Sequence, residues 1–86
     1  GILCCGTGIG MSMTANKQKG IRAAVLSDAF SAEMTRRHNN ANVLAMGAGL
    51  TGTNVALRMV EIFLNTEFEG GRHQTRVDMI NELENN

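Results

Sequence analysis

The sequence of 86 residues predicts an α/β fold of Rossmann-like type, with a three-layer parallel sheet flanked by helices. Short apolar runs alternate with segments of helical spacing, which is the order typical of a parallel sheet. The first apolar run leads directly into Gly6-Thr7-Gly8-Ile9-Gly10, and ligand sites in such sheets lie at the carboxyl ends of the strands. The first strand needs neighbours on both edges, and the sequence supplies few. We therefore expect residues 1–86 to be the C-terminal portion of a single domain, with the N-terminal part outside this sequence.

The elements are predicted in order from their local patterns. Runs of apolar residues indicate buried strands, and apolar residues recurring at helical spacing indicate helices. Ser27 or Asp28 caps the second helix, because a short polar side chain there accepts a hydrogen bond from a free amide. The predicted elements are a strand over 2–4, a helix over 11–17, a strand over 21–26, a helix that continues to Arg37 and ends near 38–40, a strand over 41–46, and helices over 53–65 and 72–83.

Burial is predicted from the same patterns. The helix over 53–65 is expected to be well buried because it is dense in apolar residues, namely Val55, Leu57, Met59, Val60, Ile62, Phe63 and Leu64. The last helix places apolar residues on one stripe, namely Val77, Ile80 and Leu83. Cys4 points away from Cys5 on the first strand and is expected in the core. Arg36 and Arg37 are expected at the surface.

Composition excludes several classes of protein. Eight basic and eight acidic residues give a formal net charge of zero, and no basic stripe is interleaved with aromatic residues. We therefore expect no nucleic-acid partner. No apolar run reaches the ~18 residues of a membrane span, so we expect no membrane insertion. Cys4 and Cys5 are adjacent and do not form a disulfide framework, which favours a reducing, cytoplasmic setting.

Cys5 is the first candidate functional residue. The glycines that follow it allow a tight turn with exposed backbone amides, and the helix that opens next adds partial positive charge. Together they predict a hole for an anion beside the Cys5 sulfur, and a lowered thiol pKa. The alternative is an inert, buried cysteine next to a simple tight turn. The glycine spacing fits neither a dinucleotide-binding fingerprint nor a P-loop.

Further candidates lie at the ends of helices. His38 and Asn39 lie where the second helix stops, and each is either part of a site or a residue that favours a helix end or a turn. Arg72 and Arg76 are four residues apart, so they share one face of the last helix. That pair is either a solvated surface or a phosphate clamp, because guanidinium groups match phosphate oxygens. Gly70-Gly71, just before it, allows a ligand to approach closely.

Four separated motifs, in this order, resemble the type B ribose-5-phosphate isomerases, whose family includes the galactose-6-phosphate isomerase subunits. The motifs are Cys5-Gly6-Thr7-Gly8-Ile9-Gly10, Ala15-Asn16-Lys17 with Gly20-Ile21-Arg22-Ala23, Arg37-His38-Asn39-Asn40-Ala41-Asn42-Val43-Leu44, and Glu69-Gly70-Gly71-Arg72-His73. The resemblance spans essentially all 86 residues and corresponds to the C-terminal portion of the family. The family's N-terminal segment, whose first strand carries an Asp-His pair, has no counterpart here. We therefore expect the 86 residues alone to be inactive.

The resemblance implies an aldose–ketose isomerase of phosphorylated sugars that uses no metal and no organic cofactor. By this match, the thiolate of Cys5 moves a proton between C1 and C2 of the sugar through an enediolate. The backbone amides from Gly6 to Gly10 stabilise the enediolate oxygen, and Thr7 lines the hole that they form. A base and preorganised donors of this kind are what abstraction of a weakly acidic carbon proton requires.

The resemblance also assigns the remaining candidates. His38 helps to open the sugar ring, Asn39 contacts sugar hydroxyls, and Arg72 and Arg76 hold the phosphate. In the family, each site is completed across an interface between subunits. It therefore implies a homodimer or a dimer of dimers that binds a small sugar phosphate.

The substrate stays open between pentose and hexose phosphates, with ribose 5-phosphate as the first candidate. The loop over 46–52 lacks an arginine that many ribose-5-phosphate isomerases of this type have, and other stretches are closer to one galactose-6-phosphate isomerase subunit. That subunit generally lacks the cysteine present here as Cys5. A second class is a non-catalytic sugar-phosphate-binding subunit of a hetero-oligomer. A thiol redox module ranks last, because the adjacent Cys4 and Cys5 on a strand make poor redox partners.

Overall fold

Strands and helices alternate along the chain in the predicted order. The computed structural model describes all residues from Gly1 to Asn86. Its elements are β1 (Ile2–Cys5), α1 (Ile9–Ala15), β2 (Ala23–Val25), α2 (Ala29–Asn39), β3 (Val43–Gly47), α3 (Thr53–Asn65), α4 (Arg72–Glu82) and a final 3-10 turn (Leu83–Asn85). Asp28 caps α2 by accepting a hydrogen bond from the Ser31 amide, as one of the two predicted caps. No helix combines the length and the apolar character that crossing a membrane requires.

The three strands form one parallel sheet with β3 in the centre, in the order β1-β3-β2. Its register pairs Ile2 with Leu44 and Cys5 with Gly47. The chain moves across the sheet in one direction through α1 and returns through α2, so right-handed crossovers place these helices on opposite faces. α3 packs beside α2. The predicted three-layer α/β fold is therefore confirmed.

The core lies between β3 and the layer formed by α2 and α3. β3 is buried at every position, and Leu44 and Met59 have no exposed surface. Full burial of an apolar side chain of this size stabilises the fold by about 1.5–3 kcal/mol. The buried cluster consists of Ala32, Ala41, Leu44, Met46, Met59 and Phe63. The central strand is thereby fixed, and the loops at its two ends are anchored.

The outer strands differ from the predictions. β2 covers only Ala23–Val25 instead of 21–26, because the amide of Arg22 bonds to the side chain of Asn42 and not to a neighbouring strand. Val25 is exposed although a buried strand was predicted. The prediction that Cys4 lies in the core is wrong, since the residue is exposed. Alternation correctly places Cys4 and Cys5 on opposite faces, but β1 is an edge strand of this sheet.

The helices are also less buried than predicted. In α3 only Met59 and Phe63 are buried, so the expectation of a well-buried helix is wrong. A helix lying on one face of a sheet buries a single stripe, and its other apolar residues then reach the surface. The exposed apolar residues of α3 and of the stripe along α4 are Val55, Leu57, Leu64, Ile80 and Leu83.

Arg36 makes specific contacts, although a solvated surface position was predicted. Its guanidinium donates hydrogen bonds to the carbonyls of Thr66 and Ala41 and to the side chain of Asn40. The same group lies 5.7 Å from the ring centroid of Phe63. Arg36 therefore connects the ends of α2 and α3 to the start of β3.

We expect Arg36→Ala to lower the free energy of unfolding by about 2 kcal/mol, because a hydrogen bond to a charged group contributes about 1.5–3 kcal/mol. Arg58→Ala is the matched control, since Arg58 makes only an exposed ion pair with Glu61 at 3.4 Å. That variant should lose less than about 0.5 kcal/mol. Urea unfolding of both proteins measures the difference, and equal losses would contradict the role assigned to Arg36.

A candidate active site in two parts

The glycine loop after β1 packs directly against the carboxyl end of β3. Gly8 has a φ of 81°, and a Cβ atom there would lie 2.7 Å from the backbone of Met46. A Cβ atom on Gly47 would likewise lie 2.7 Å from the backbone of Thr7. Atoms do not approach this closely without displacement, so both positions require glycine. The shape of the loop is therefore set by the end of the central strand.

A second loop, after β3, is hydrogen-bonded to the first. The amide of Ala48 donates to the Cys5 carbonyl at 2.8 Å, and the amide of Gly49 donates to the Gly6 carbonyl at 3.1 Å. The hydroxyl of Thr51 is buried here without a hydrogen-bond partner. Sequence reasoning identified this segment as a flexible loop that lacks an arginine and did not predict its contact with the first loop. Its glycines were the signal of a close approach by another backbone.

Cys5 ends β1 with its thiol over the first turn of α1. The side chain is half-buried, and the amide of Gly8 donates to the sulfur at 3.1 Å. The pKa of the Cys5 thiol is lowered, chiefly by the backbone amide of Met11 and then by that of Gly8, while partial burial opposes them. The amide of Ile9 donates to the hydroxyl of Thr7 at 3.2 Å. The Cys5 sulfur therefore lies beside backbone amides that lower its thiol pKa, and Ile9 already belongs to α1.

We expect Cys5 to react with iodoacetamide at lower pH than an ordinary cysteine, whose pKa is about 8.5. Because the thiolate is the nucleophile and its pKa is lowered, the reaction rate should rise with pH through an inflection below that value. Mass spectrometry of the peptide that contains Cys5, in a Cys4→Ser protein, measures this rate. The urea-unfolded protein is the control, and an inflection that coincides with the control would contradict the prediction.

The second part of the site is a pair of stacked histidines. His38 lies in the last turn of α2 and His73 in the first turn of α4, with ring centroids 4.1 Å apart and planes inclined by 14°. Glu69 Oε1 lies 3.7 Å from His73 Nε2, and the same carboxylate pairs with Arg37. The pKa of His73 is lowered, first by partial burial and then by the charges of His38 and Arg72. Sequence reasoning selected His38 and missed His73, although His73 lies beside the candidate Arg72.

The two arginines of the predicted phosphate clamp lie on α4 on either side of His73 in the sequence. Arg72 and Arg76 are exposed and line, together with His73, an open depression on α4. Asn39 lies apart from them and lines a different cavity, in which Arg22 is a neighbour. The chain therefore brings His38 close to the arginine face and does not bring Asn39 there.

The two parts of the site lie at opposite ends of the sheet. Cys5 and its loop are at the carboxyl end of β3, whereas α2 runs antiparallel to the strands and brings His38 to the amino end. β3 alone spans roughly 13 Å at the usual rise of a strand. Only the glycine loop thus lies at the carboxyl end of the sheet, and the candidates at the helix ends lie at the other end. Within one chain, Cys5 does not meet His38 or Arg72.

His38, Glu69 and His73 are also the residues whose spacing suits a metal ion. Their ligand atoms all lie within 4.8 Å of one another. The rings are nearly parallel, however, so their lone pairs do not converge on one point, as tetrahedral coordination of zinc would require. The carboxylate of Glu69 is already paired with the guanidinium of Arg37. This geometry favours a stacked, hydrogen-bonded group over a metal centre.

Comparison with known proteins shows the family to which the sequence is similar. Residues 1–80 match the family described as Ribose/Galactose Isomerase. The chain is 50% identical over 84 residues to ribose-5-phosphate isomerase B of Escherichia coli, covering 98% of the chain and 56% of that protein. It is 48% identical over 83 residues to the galactose-6-phosphate isomerase subunit LacA of Enterococcus faecalis, covering 96% of the chain and 58% of that subunit.

A solved structure shows the same likeness. The ribose-5-phosphate isomerase B of Clostridium thermocellum superposes with a TM-score of 0.96 at 52% identity, covering 99% of the chain and 57% of that structure. The chain thus spans just over half the length of the proteins that it matches.

Proposed function

Because the chain belongs to the ribose/galactose isomerase family, we propose that the full-length protein interconverts an aldose phosphate and a ketose phosphate, with ribose 5-phosphate and ribulose 5-phosphate as the pair. The observation that carries this proposal is the Cys5 thiol, which has a lowered pKa and lies beside the amides of the glycine loop. Enolisation of a sugar requires a base whose pKa is close to the working pH, next to preorganised donors.

In the proposed reaction, the Cys5 thiolate removes the proton from C2 of the open-chain aldose. The electrons of the broken C–H bond form a C1–C2 double bond, and the carbonyl oxygen on C1 takes the negative charge. Amides between Gly6 and Gly10 stabilise this enediolate, and Thr7 lines the same hole. The hydroxyl proton of O2 passes to O1, the Cys5 thiol returns its proton to C1, and a carbonyl remains at C2. No electron is lost or gained overall, so the reaction needs no external oxidant or reductant.

The second part of the site binds and prepares the sugar in this scheme. His38 opens the furanose ring by proton transfer and Arg72 with Arg76 holds the phosphate, whereas Asn39, which lines a different cavity, is left out of this face. The spacing of the two arginines on one exposed face of α4 supports the clamp. Binding energy from the remote phosphate then holds the reacting carbons over the base.

A second copy of the chain completes the site in this proposal. The supporting observation is that Cys5 lies at one end of the sheet, while His38 and the arginine face lie at the other. One chain alone therefore does not surround one sugar. We infer a homodimer, or a dimer of dimers, in which each site takes Cys5 from one protomer and His38 from its partner. We place this protein in the cytoplasm.

The alternative substrate is a hexose phosphate, because the loop over 46–52 has no arginine and the chain is also similar to a galactose-6-phosphate isomerase subunit. Proton NMR of the full-length protein in deuterated water, with ribose 5-phosphate or galactose 6-phosphate, separates the two. Conversion of the pentose supports the proposal, and conversion of the hexose alone assigns the alternative. If a folded protein converts neither, the isomerase proposal is wrong and a non-catalytic binding subunit is favoured.

A further inference from the structure

We propose that His73 is a positioning residue that holds the imidazole of His38 in the orientation needed for ring opening. This inference rests on the proposed isomerase function and on the ring-opening role of His38. It adds a residue to which no role was assigned from the sequence. His73 acts on His38 and does not itself exchange a proton with the sugar.

The first support is the contact between the two rings. With centroids 4.1 Å apart and planes inclined by 14°, His73 covers one face of the His38 imidazole. The His73 side chain is only 17% exposed, so its own ring has little freedom to move away. A covered ring cannot rotate freely about its last side-chain torsion. The stack therefore fixes the directions in which the nitrogens of His38 point.

The second support is the way in which His73 is itself held. Glu69 connects it to α2, because one carboxylate oxygen lies 3.7 Å from His73 Nε2 and the other accepts a hydrogen bond from Arg37. The Glu69 amide also donates to the Arg37 carbonyl at 3.1 Å. Arg37 is bonded in turn to Glu33 within α2. These contacts fix the first turn of α4 against the last turn of α2.

The third support is electrostatic. Partial burial and the neighbouring charges of His38 and Arg72 lower the pKa of His73, so its ring stays neutral near neutral pH. An uncharged His73 ring does not repel positive charge on the ring stacked against it, whereas an imidazolium in its place would. His73 thus combines a flat contact surface with the absence of charge, which suits a support for an acid–base residue.

The test uses the aldose and the ketose of the proposed reaction, of which only the aldose must undergo ring opening. Ribose 5-phosphate is mainly a furanose and must open. Ribulose 5-phosphate is acyclic, because its only hydroxyl able to close a furanose ring carries the phosphate. In deuterated water, NMR of the full-length protein follows ketose formation from the first. With ribulose 5-phosphate, NMR follows the loss of the C1-proton signal. This signal falls both when the proton exchanges with deuterium and when the ketose is converted to the aldose.

We expect His73→Ala to slow ketose formation from ribose 5-phosphate by about tenfold to a hundredfold, since small misplacements of a reacting group cost this much. Loss of the C1-proton signal from ribulose 5-phosphate should change less than about twofold, because enolisation at Cys5 needs no ring opening. His73→Phe retains a flat ring and should recover most of the forward rate. His38→Ala should show the same split between substrates as His73→Ala.

Several results would overturn the inference. An equal loss with both substrates would make His73 a structural residue only, and an unchanged forward rate would remove its role. If His38→Ala slows the reactions of both substrates, ring opening is not the role of His38 and the inference about His73 is wrong. The proposed isomerase function would still stand. If the unaltered protein acts on neither sugar, the proposed function fails first and this inference fails with it. Circular dichroism of each variant monitors folding.

Discussion

Cys5→Ala will reduce the turnover of the full-length protein by about a hundredfold to ten-thousandfold, which is the usual contribution of a general base. The expected loss is large because no other side chain in the glycine loop can take a proton from carbon. The amides that stabilise the enediolate belong to the backbone and remain in the variant. Initial rates of sugar-phosphate conversion by proton NMR measure the loss.

Cys4→Ala is the matched control for this variant. Cys4 is adjacent in sequence, exposed, and on the opposite face of β1, so its removal should leave the rate within about twofold. Binding of ribulose 5-phosphate, measured by calorimetry, should persist in Cys5→Ala because the arginines that hold the phosphate are unaltered. If Cys5→Ala keeps the full rate, the thiol is not the base. Loss of activity in both variants would instead indicate damage to β1.

Gly47→Ala will destabilise the protein by about 3 kcal/mol, at the upper end of the usual cost of overpacking. The new Cβ atom would lie 2.7 Å from three backbone atoms of Thr7, and backbone cannot rotate aside as a side chain can. Relief requires the glycine loop to move away from the end of β3. Because that loop carries the amides beside Cys5, we expect turnover to fall together with stability.

Gly10→Ala is the control for the glycine substitution. A Cβ atom at Gly10 meets nothing within 4 Å, and the residue lies inside α1, where alanine is favoured over glycine by up to about 1 kcal/mol. Urea unfolding should therefore show a higher free energy of unfolding for Gly10→Ala and a lower one for Gly47→Ala. Equal stabilities of the two variants would mean that the two loops do not pack together as described.

Local pattern was sufficient for the order of the elements and for the glycine loop, and it limited the helix cap to Ser27 or Asp28, because each depends on residues close in sequence. It was not sufficient for Gly47, whose importance arises from the backbone of Thr7, a distant part of the chain. Arg36 could not be distinguished from a solvated arginine, since its acceptors come from the segments that follow α2 and α3. His73 gained its role only when α4 was placed against α2.

The separation of Cys5 from the arginine face by the length of the sheet has a genetic consequence, if a second copy completes each site. Consider two alleles, one encoding Cys5→Ala and the other Arg76→Ala, each inactive by itself. In a mixed dimer, one site receives both altered residues and the other receives both intact ones. Cells that carry the two alleles together would thus recover activity that neither allele supplies, and a cross between two such mutants would resemble complementation between different genes.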